Sequence, residues 1–403
     1  MIPVTYDGSK WVKADTSSKW YDYNNQEWAN AVTVTEENRA TYMSAPAGTE
    51  IPMEDINTMW VWIPRYEYMY TNLGTQYAGG TRDLPGEIKV NFLSGTSTTP
   101  SDAANYKVHP AFTFGEEELS GIWFGKFETG GTLVSARTNE SCDTSNVVLK
   151  PNISSLRNQK LSSFFYTARS MQLNENNPYG FRSTSGNVHM SKNSEWSSVA
   201  YLSQSKYGKY GNPNYTGANK EIYQNKSSEY ITGMSNGTPS TDTVNTQVTY
   251  DTPNTGYGAS TTGTIYGIYD MSGGSWEYVM GVLMDPNGNP RSGGSTTFNS
   301  GFNGALSEGT YSSGIPFPAA QYYNLYTTED ATTACSGGVC YGHALSEMAG
   351  WYQDYQSFVN QNGPWVVRGG YWGSTANAGV FHFATGRGNA DTYSASRATL
   401  VLF

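Results

Sequence analysis

Few residues of this chain sit where reaction chemistry would need them. Its three cysteines are Cys142, Cys335 and Cys340, and the last two bracket the turn-forming insert "SGGV". That spacing suits a small disulfide loop at a hairpin tip or a pair of ordinary thiols, and the sequence leaves both open. The four histidines, His109, His189, His343 and His382, are scattered without metal-ligand spacing. Glu195 precedes Trp196 in a helical pattern and reads as a structural carboxylate beside a core indole. "DPNGNPRSGG" (Asp285 to Gly294) offers oxygen ligands of the kind a structural calcium takes. Its spacing is not that of an EF-hand, and a plain turn fits it better. No cofactor is expected.

Recognition chemistry is better represented. The stretch "RGGYWGSTANAGVFHFATGRGNADTYSASR", Arg368 to Arg397, mixes aromatic, small and charged side chains freely. Between Tyr371 and Ser396 it has no Lys, Glu, Gln or Met, where the chain's own usage would place about four. Over all 403 residues only 14% are charged, while Gly numbers 44 and Tyr 31, a balance suited to loop-heavy folds that display polar aromatic surface. The net charge of −10 argues against nucleic acid, whose phosphates demand basic patches. There is no apolar run long enough to span a membrane. The opening "MIPVTYDGSK" has neither a basic n-region nor an apolar h-region, so no signal peptide is expected there.

The elements that must position these residues are short. "VTYDGSKWVKA" and "KWYDYNNQEWANAVTV" read as two hairpins and predict a small N-terminal β module over residues 1–45, ahead of a single larger domain over 46–403. "MWVWIPRYEYMY" and "GIWFGKFETGG" read as strands. Leu161, Phe164, Phe165 and Ala168 make a helical stripe. A second helix has Asn193 as its cap, Gly208 as its end, and Trp196, Val199, Ala200 and Ser203 on one face. Residues 205–263 form an irregular, Tyr-rich insertion that either extends a binding face or covers the sheet. "RATLVLF" reads as a buried terminal strand. The fold class is α+β, with two main helices, short antiparallel strands and extensive ordered loops.

Four stretches resemble the formylglycine-generating-enzyme-like domains. These are "GIWFGKFETGG", "MSKNSEWSSVAYL", "GIYDMSGGSWEYVM" and "VVRGGYW" followed at a distance by Arg397. The resemblance covers about residues 110–403 and implies a C-type lectin fold of that subtype. In catalytic members a cysteine pair after Arg-Gly-Gly binds copper and oxidises a substrate cysteine. Here the matching stretch "YWGSTANAGVFHF" has no thiol, so the resemblance implies a non-catalytic branch.

That branch includes the variable proteins of diversity-generating retroelements, which the chain also resembles in "HPAFTFGEEELSGIWFGKFE" and "WYQDYQSFVNQNGPWVVRGG". Their C-terminal segment is rewritten at adenines, chiefly in Asn codons, which cannot become Lys, Glu, Gln, Met or Trp. The resemblance implies a ligand- or receptor-binding protein, displayed on a phage virion or bacterial surface, whose partner is a protein or glycan on a target cell or phage. A non-diversified adhesin on the same fold is the alternative. The implied variable region is about 368–397. Its implied diversified positions are Tyr371, Gly373, Ser374, His382, Ala384, Thr385, Gly386, Arg387, Asp391, Thr392, Tyr393, Ser394 and Ser396, all solvent-facing, with Tyr371, Tyr393, His382 and Arg387 as anchors. Trp196, Asp270, Trp276, Arg368, Trp372 and Arg397 are implied scaffold, as are Phe381 and Phe383; Glu277, like Asp270, is implied to hold loops.

Overall fold

A computed structural model describes residues 1–71, 87–131, 147–173, 177–226, 249–328, 341–348 and 351–403. The expectations for Cys142, Cys335 and Cys340 lie outside these residues, as does the middle of the 205–263 insertion.

Two sheets carry the architecture. The N-terminal strands are β1 (Ile2–Tyr6), β2 (Trp11–Lys13), β3 (Asn30–Val34), β4 (Ile56–Pro64), β5 (Tyr66–Thr71) and β6 (Glu87–Phe92). After them come β7 (Gly121–Gly125), β8 (Gly186–Met190), β9 (Trp276–Leu283), β10 (Asn324–Tyr326), β11 (Trp365–Gly369), β12 (Gly379–Gly386), β13 (Ser394–Ser396) and β14 (Ala398–Leu402). The larger sheet runs in the order β8-β14-β7-β4-β3-β1-β2. Residues 1–45, read above as a small β module, thus contribute three strands to the sheet that also holds the C-terminal strand. The first expected hairpin forms, as β1–β2. Of the second only one antiparallel bridge forms, Asp22 with Glu27 around the 3-10 turn Tyr23–Asn25, before the chain enters β3, which pairs with β1 and β4.

The second sheet has the order β10-β9-β11-β12, with β13 added in parallel against the start of β9. β11 and β12 form an antiparallel pair flanking the loop 370–378. A single residue, Arg397, separates β13 from β14, so the chain passes from one sheet to the other at that point.

Among the described residues, three α-helices of nine or more residues pack around the sheets, α1 (Glu36–Ser44), α2 (Leu161–Leu173) and α3 (Asn193–Ser203). The stripe Leu161, Phe164, Phe165 and Ala168 of α2 is buried as its spacing predicts. On α3 the expected ends are corrected. Lys192 is the cap, and its N–H donates to the Glu195 carboxylate at 2.8 Å. Asn193 is drawn elsewhere, donating to Tyr326 and the His343 carbonyl. Helical structure stops at Ser203, before Gly208. All eleven residues of α3 are buried, so it is a central element with no solvent face. Asp285 accepts the N–H groups of Asn287 and Asn289 at 2.8 Å, the bonding of a turn. Among the described residues no group of three or more His, Cys, Asp or Glu is placed to hold a metal.

Candidate functional site

The loop after β11 begins with Gly369 and Gly370 at φ of 79° and 72°, a region that side chains avoid. This sharp exit throws residues 371–378 over the end of the second sheet before β12 returns. Together with the loop after β12 it encloses an open cleft of about 660 Å³.

Eleven of the thirteen residues singled out in the sequence line that cleft: Tyr371, Gly373, Ser374, His382, Ala384, Thr385, Gly386, Arg387, Asp391, Tyr393 and Ser394. Thr392 and Ser396 do not. Ser396 is 3% exposed, because β13 is paired along β9 and its carbonyl accepts the N–H of Thr129. The expectation that all thirteen face solvent is corrected at three more positions. Gly386 and Ser394 are buried, the latter donating to Asp391 at 3.0 Å. His382 is 3% exposed, and its Nδ1 is bonded to the Asn377 carbonyl at 2.7 Å. Burial lowers its pKa to about 4, so near neutrality the ring is uncharged and Nδ1–H is the donor. It is a wall of the cleft and not a projecting anchor. Arg387 and Tyr393 are exposed, and Tyr371 is half-buried.

The scaffold residues differ among themselves. Trp196 is fully buried and donates to the Val380 carbonyl at 3.1 Å, directly supporting β12. Phe381 and Phe383 point inward while His382 and Ala384 line the cleft, the alternation of a strand. Asp270 is buried and accepts from Asn225 at 2.8 Å. Trp372 is half-buried, with its N–H on the Gly274 carbonyl at 2.8 Å. Trp276, expected as pure frame, is half-buried and lines the cleft. Its ring lies 4.6 Å from that of Tyr371, and Tyr371 lies 5.5 Å from Tyr393. The three make one aromatic wall.

Arg368 is fully buried. It reaches Asn193 at 2.7 Å and the carbonyls of Ala344 at 2.8 Å and His343 at 2.5 Å. The turn it grips is closed by Glu347, which accepts from Gly342 N at 2.7 Å, from Ala344 N at 3.3 Å and from the Tyr201 hydroxyl. Burial pushes the Glu347 carboxyl up from 4.5 to about 7. Below the unfolded value the folded and unfolded carboxyls are both protonated. As pH rises toward 7 the unfolded one ionises first, so its share of stability, about 3 kcal/mol at most, is progressively lost. Glu347→Gln should therefore gain stability relative to wild type between about pH 4.5 and 7. Denaturant melts across that window check it; a constant difference would mean the carboxyl does not titrate there.

Several wall residues carried no flag in the sequence. Tyr355 lies upstream of the Arg-Gly-Gly element, is 48% exposed, and its ring is 5.5 Å from His382. Phe298, from a distant loop and not itself part of the lining, sits under the Arg387 guanidinium at 4.5 Å. Asn377 and Asn389 also line the cleft, and here a signal was present, since asparagine is the codon from which the implied diversification starts.

The backbone of the segment is fastened from outside it. Gln224 donates to the carbonyls of both Tyr371 and Trp372 at 3.1 Å. Asp354 accepts the Phe381 N–H at 3.0 Å, and the Tyr278 hydroxyl accepts that of Gly388 at 2.9 Å. Asn158 N–H donates to the Asp391 carbonyl at 2.7 Å. Chemically the lining suits recognition. Among its described residues the one carboxylate, Asp391, already accepts from Tyr393 N and Ser394, and the one imidazole is tied to a carbonyl.

No protein-family model and no curated protein matches the chain. Among solved structures it is similar to the Treponema denticola variable protein 1, at 10% identity and a TM-score of 0.32, covering 85% of this chain and 95% of that one. It is also similar to a Major Tropism Determinant U1 variant, at 12% identity and a TM-score of 0.31, covering 99% of this chain and 80% of that one.

Proposed function

We propose that this protein binds a protein or glycan ligand in the cleft formed by residues 371–394, and that this segment is diversified by a retroelement on a C-type-lectin-type scaffold of the formylglycine-generating-enzyme-like subtype. Presentation on a virion or bacterial surface follows from that reading. One observation carries it: the segment whose composition excludes Lys, Glu, Gln and Met is also the segment that supplies most of the cleft walls, on a backbone held by outside groups. Positions that accept many side chains need such external support, because the fold cannot depend on what they hold. The exposed aromatic and guanidinium groups, Tyr371, Tyr393 and Arg387, are of the types that dominate binding energy. Recognition is the reading in preference to oxidation, because the segment after Arg-Gly-Gly has no thiol to bind copper.

The test is a graft. A different set of Asn-codon-accessible residues placed at the eight lining positions that are not buried, Tyr371, Gly373, Ser374, Ala384, Thr385, Arg387, Asp391 and Tyr393, should give a folded protein whose target on a glycan or protein array is new or absent. Equal affinity of both versions for one target would locate the site elsewhere.

A further inference from the structure

A second groove shares no lining residue with the cleft. It has a volume of about 520 Å³ and lies between β6 and the segment 206–220. Its walls include Lys89, Lys206 and Lys220 together with the rings of Tyr106, Tyr210 and Tyr215. An adjoining depression of about 430 Å³ shares Lys206, Asn212 and Pro213 with it and adds the amides of Asn24, Asn25 and Asn214. Among the described residues neither lining contains a carboxylate, although the chain as a whole carries a net charge of −10.

The cations are placed rather than scattered. Lys220 Nζ lies 4.3 Å from the centre of the Tyr210 ring, and Lys206 Nζ lies 4.8 Å from that of Tyr207. Among the described residues neither ammonium has a carboxylate within ion-pair distance. By contrast, Lys10 is paired with Glu50 at 2.8 Å and Lys19 with Asp22 at 3.1 Å. Ammonium groups held over ring faces and left without counter-charge form a field that favours an anion, and the concave walls focus it.

We infer that this groove is a second binding site, for an anionic oligosaccharide. The half-buried rings of Tyr106 and Tyr210 match the apolar faces of pyranose rings, the asparagine amides both donate and accept as sugar hydroxyls require, and Lys206 and Lys220 meet a carboxylate or sulfate. The apolar residues beneath, Ile88 and Val90, are each 2% exposed, so the groove has no open apolar pocket of the kind that anchors a peptide. The inference is independent of what occupies the cleft.

Titration of the full chain at low salt with a heparin tetrasaccharide, an oligosialic acid of equal length, neutral cellotetraose and poly-glutamate tests it. Binding of at least one anionic sugar is expected, with no binding of cellotetraose or poly-glutamate. Binding of oligosialic acid would show that a carboxylate suffices, and binding of heparin alone that sulfate is required. The double variant Lys206→Gln/Lys220→Gln should weaken that binding tenfold or more, Tyr210→Ala should weaken it too, and Tyr393→Ala in the cleft should leave it unchanged. Thermal melts establish that each variant is folded. Failure of both anionic sugars, equal binding of poly-glutamate or cellotetraose, or unchanged affinity in a folded double-lysine variant would each overturn the assignment.

Discussion

Replacing Arg397 by methionine is expected to destabilise the protein by about 3–5 kcal/mol, since it strips one partner from a buried ion pair. The guanidinium is 1% exposed and donates through Nε to Glu277 at 3.0 Å, with a second bond from Nη2 to the same carboxylate. Its other donors satisfy the carbonyls of Gly125 on β7 and Tyr269, both at 2.9 Å. Glu277 belongs to β9, so this one side chain ties the two sheets together where the chain crosses between them. Without it a carboxylate and two carbonyls are left buried without these donors. Arg397→Met/Glu277→Met should recover much of the loss, because removing both charges removes the uncompensated one. Chemical denaturation of the three proteins is the measurement. A single-variant loss under about 1 kcal/mol would mean the pair is not the clamp between the sheets.

The second large effect is on binding. Tyr371→Ala/Tyr393→Ala should weaken the cleft's ligand by about a hundredfold to a thousandfold, because aromatic anchors commonly contribute about 2 kcal/mol or more each. Folding stability should hardly move for Tyr393→Ala alone, within about 0.5 kcal/mol, since this side chain is 43% exposed. Tyr371 packs on Trp276 and should cost somewhat more. Array binding and thermal melting of the same samples separate the two readouts. An unchanged array pattern in the double variant would move recognition out of the cleft.

Legibility in the sequence followed locality. The stripe of α2 and the inward pair Phe381 and Phe383 depend on neighbours a few residues away, and their periodicity carried them. The cleft segment was legible through composition, which exposes what a stretch lacks without needing its fold. What stayed hidden depends on distant partners. β3 pairs with β4 across a connection that holds α1, a choice no turn signal records. Lys126 is buried with its ammonium on the carbonyls of Ile265 at 2.6 Å and Gly267 at 2.7 Å, residues far along the chain in irregular backbone. Tyr355 reaches the cleft, and Phe298 the Arg387 guanidinium beside it, from loops outside the segment whose composition stood out. His382 misled because alternation shows which side of a strand a residue takes, and says nothing of how deep that side lies.

The fastening of Tyr371 and Trp372 by the Gln224 carboxamide has an evolutionary consequence. Gln224 and the two carbonyls it holds are indifferent to which side chains position 371 carries, because main-chain oxygens are common to every amino acid. The same holds for Asp354 on the Phe381 N–H and Tyr278 on that of Gly388. A lineage altering the exposed and half-buried positions of this segment would lose few descendants to misfolding, so most versions changed there would reach selection as intact proteins. Search breadth is then limited by how often the segment is rewritten, and not by the attrition that usually accompanies change in a binding loop.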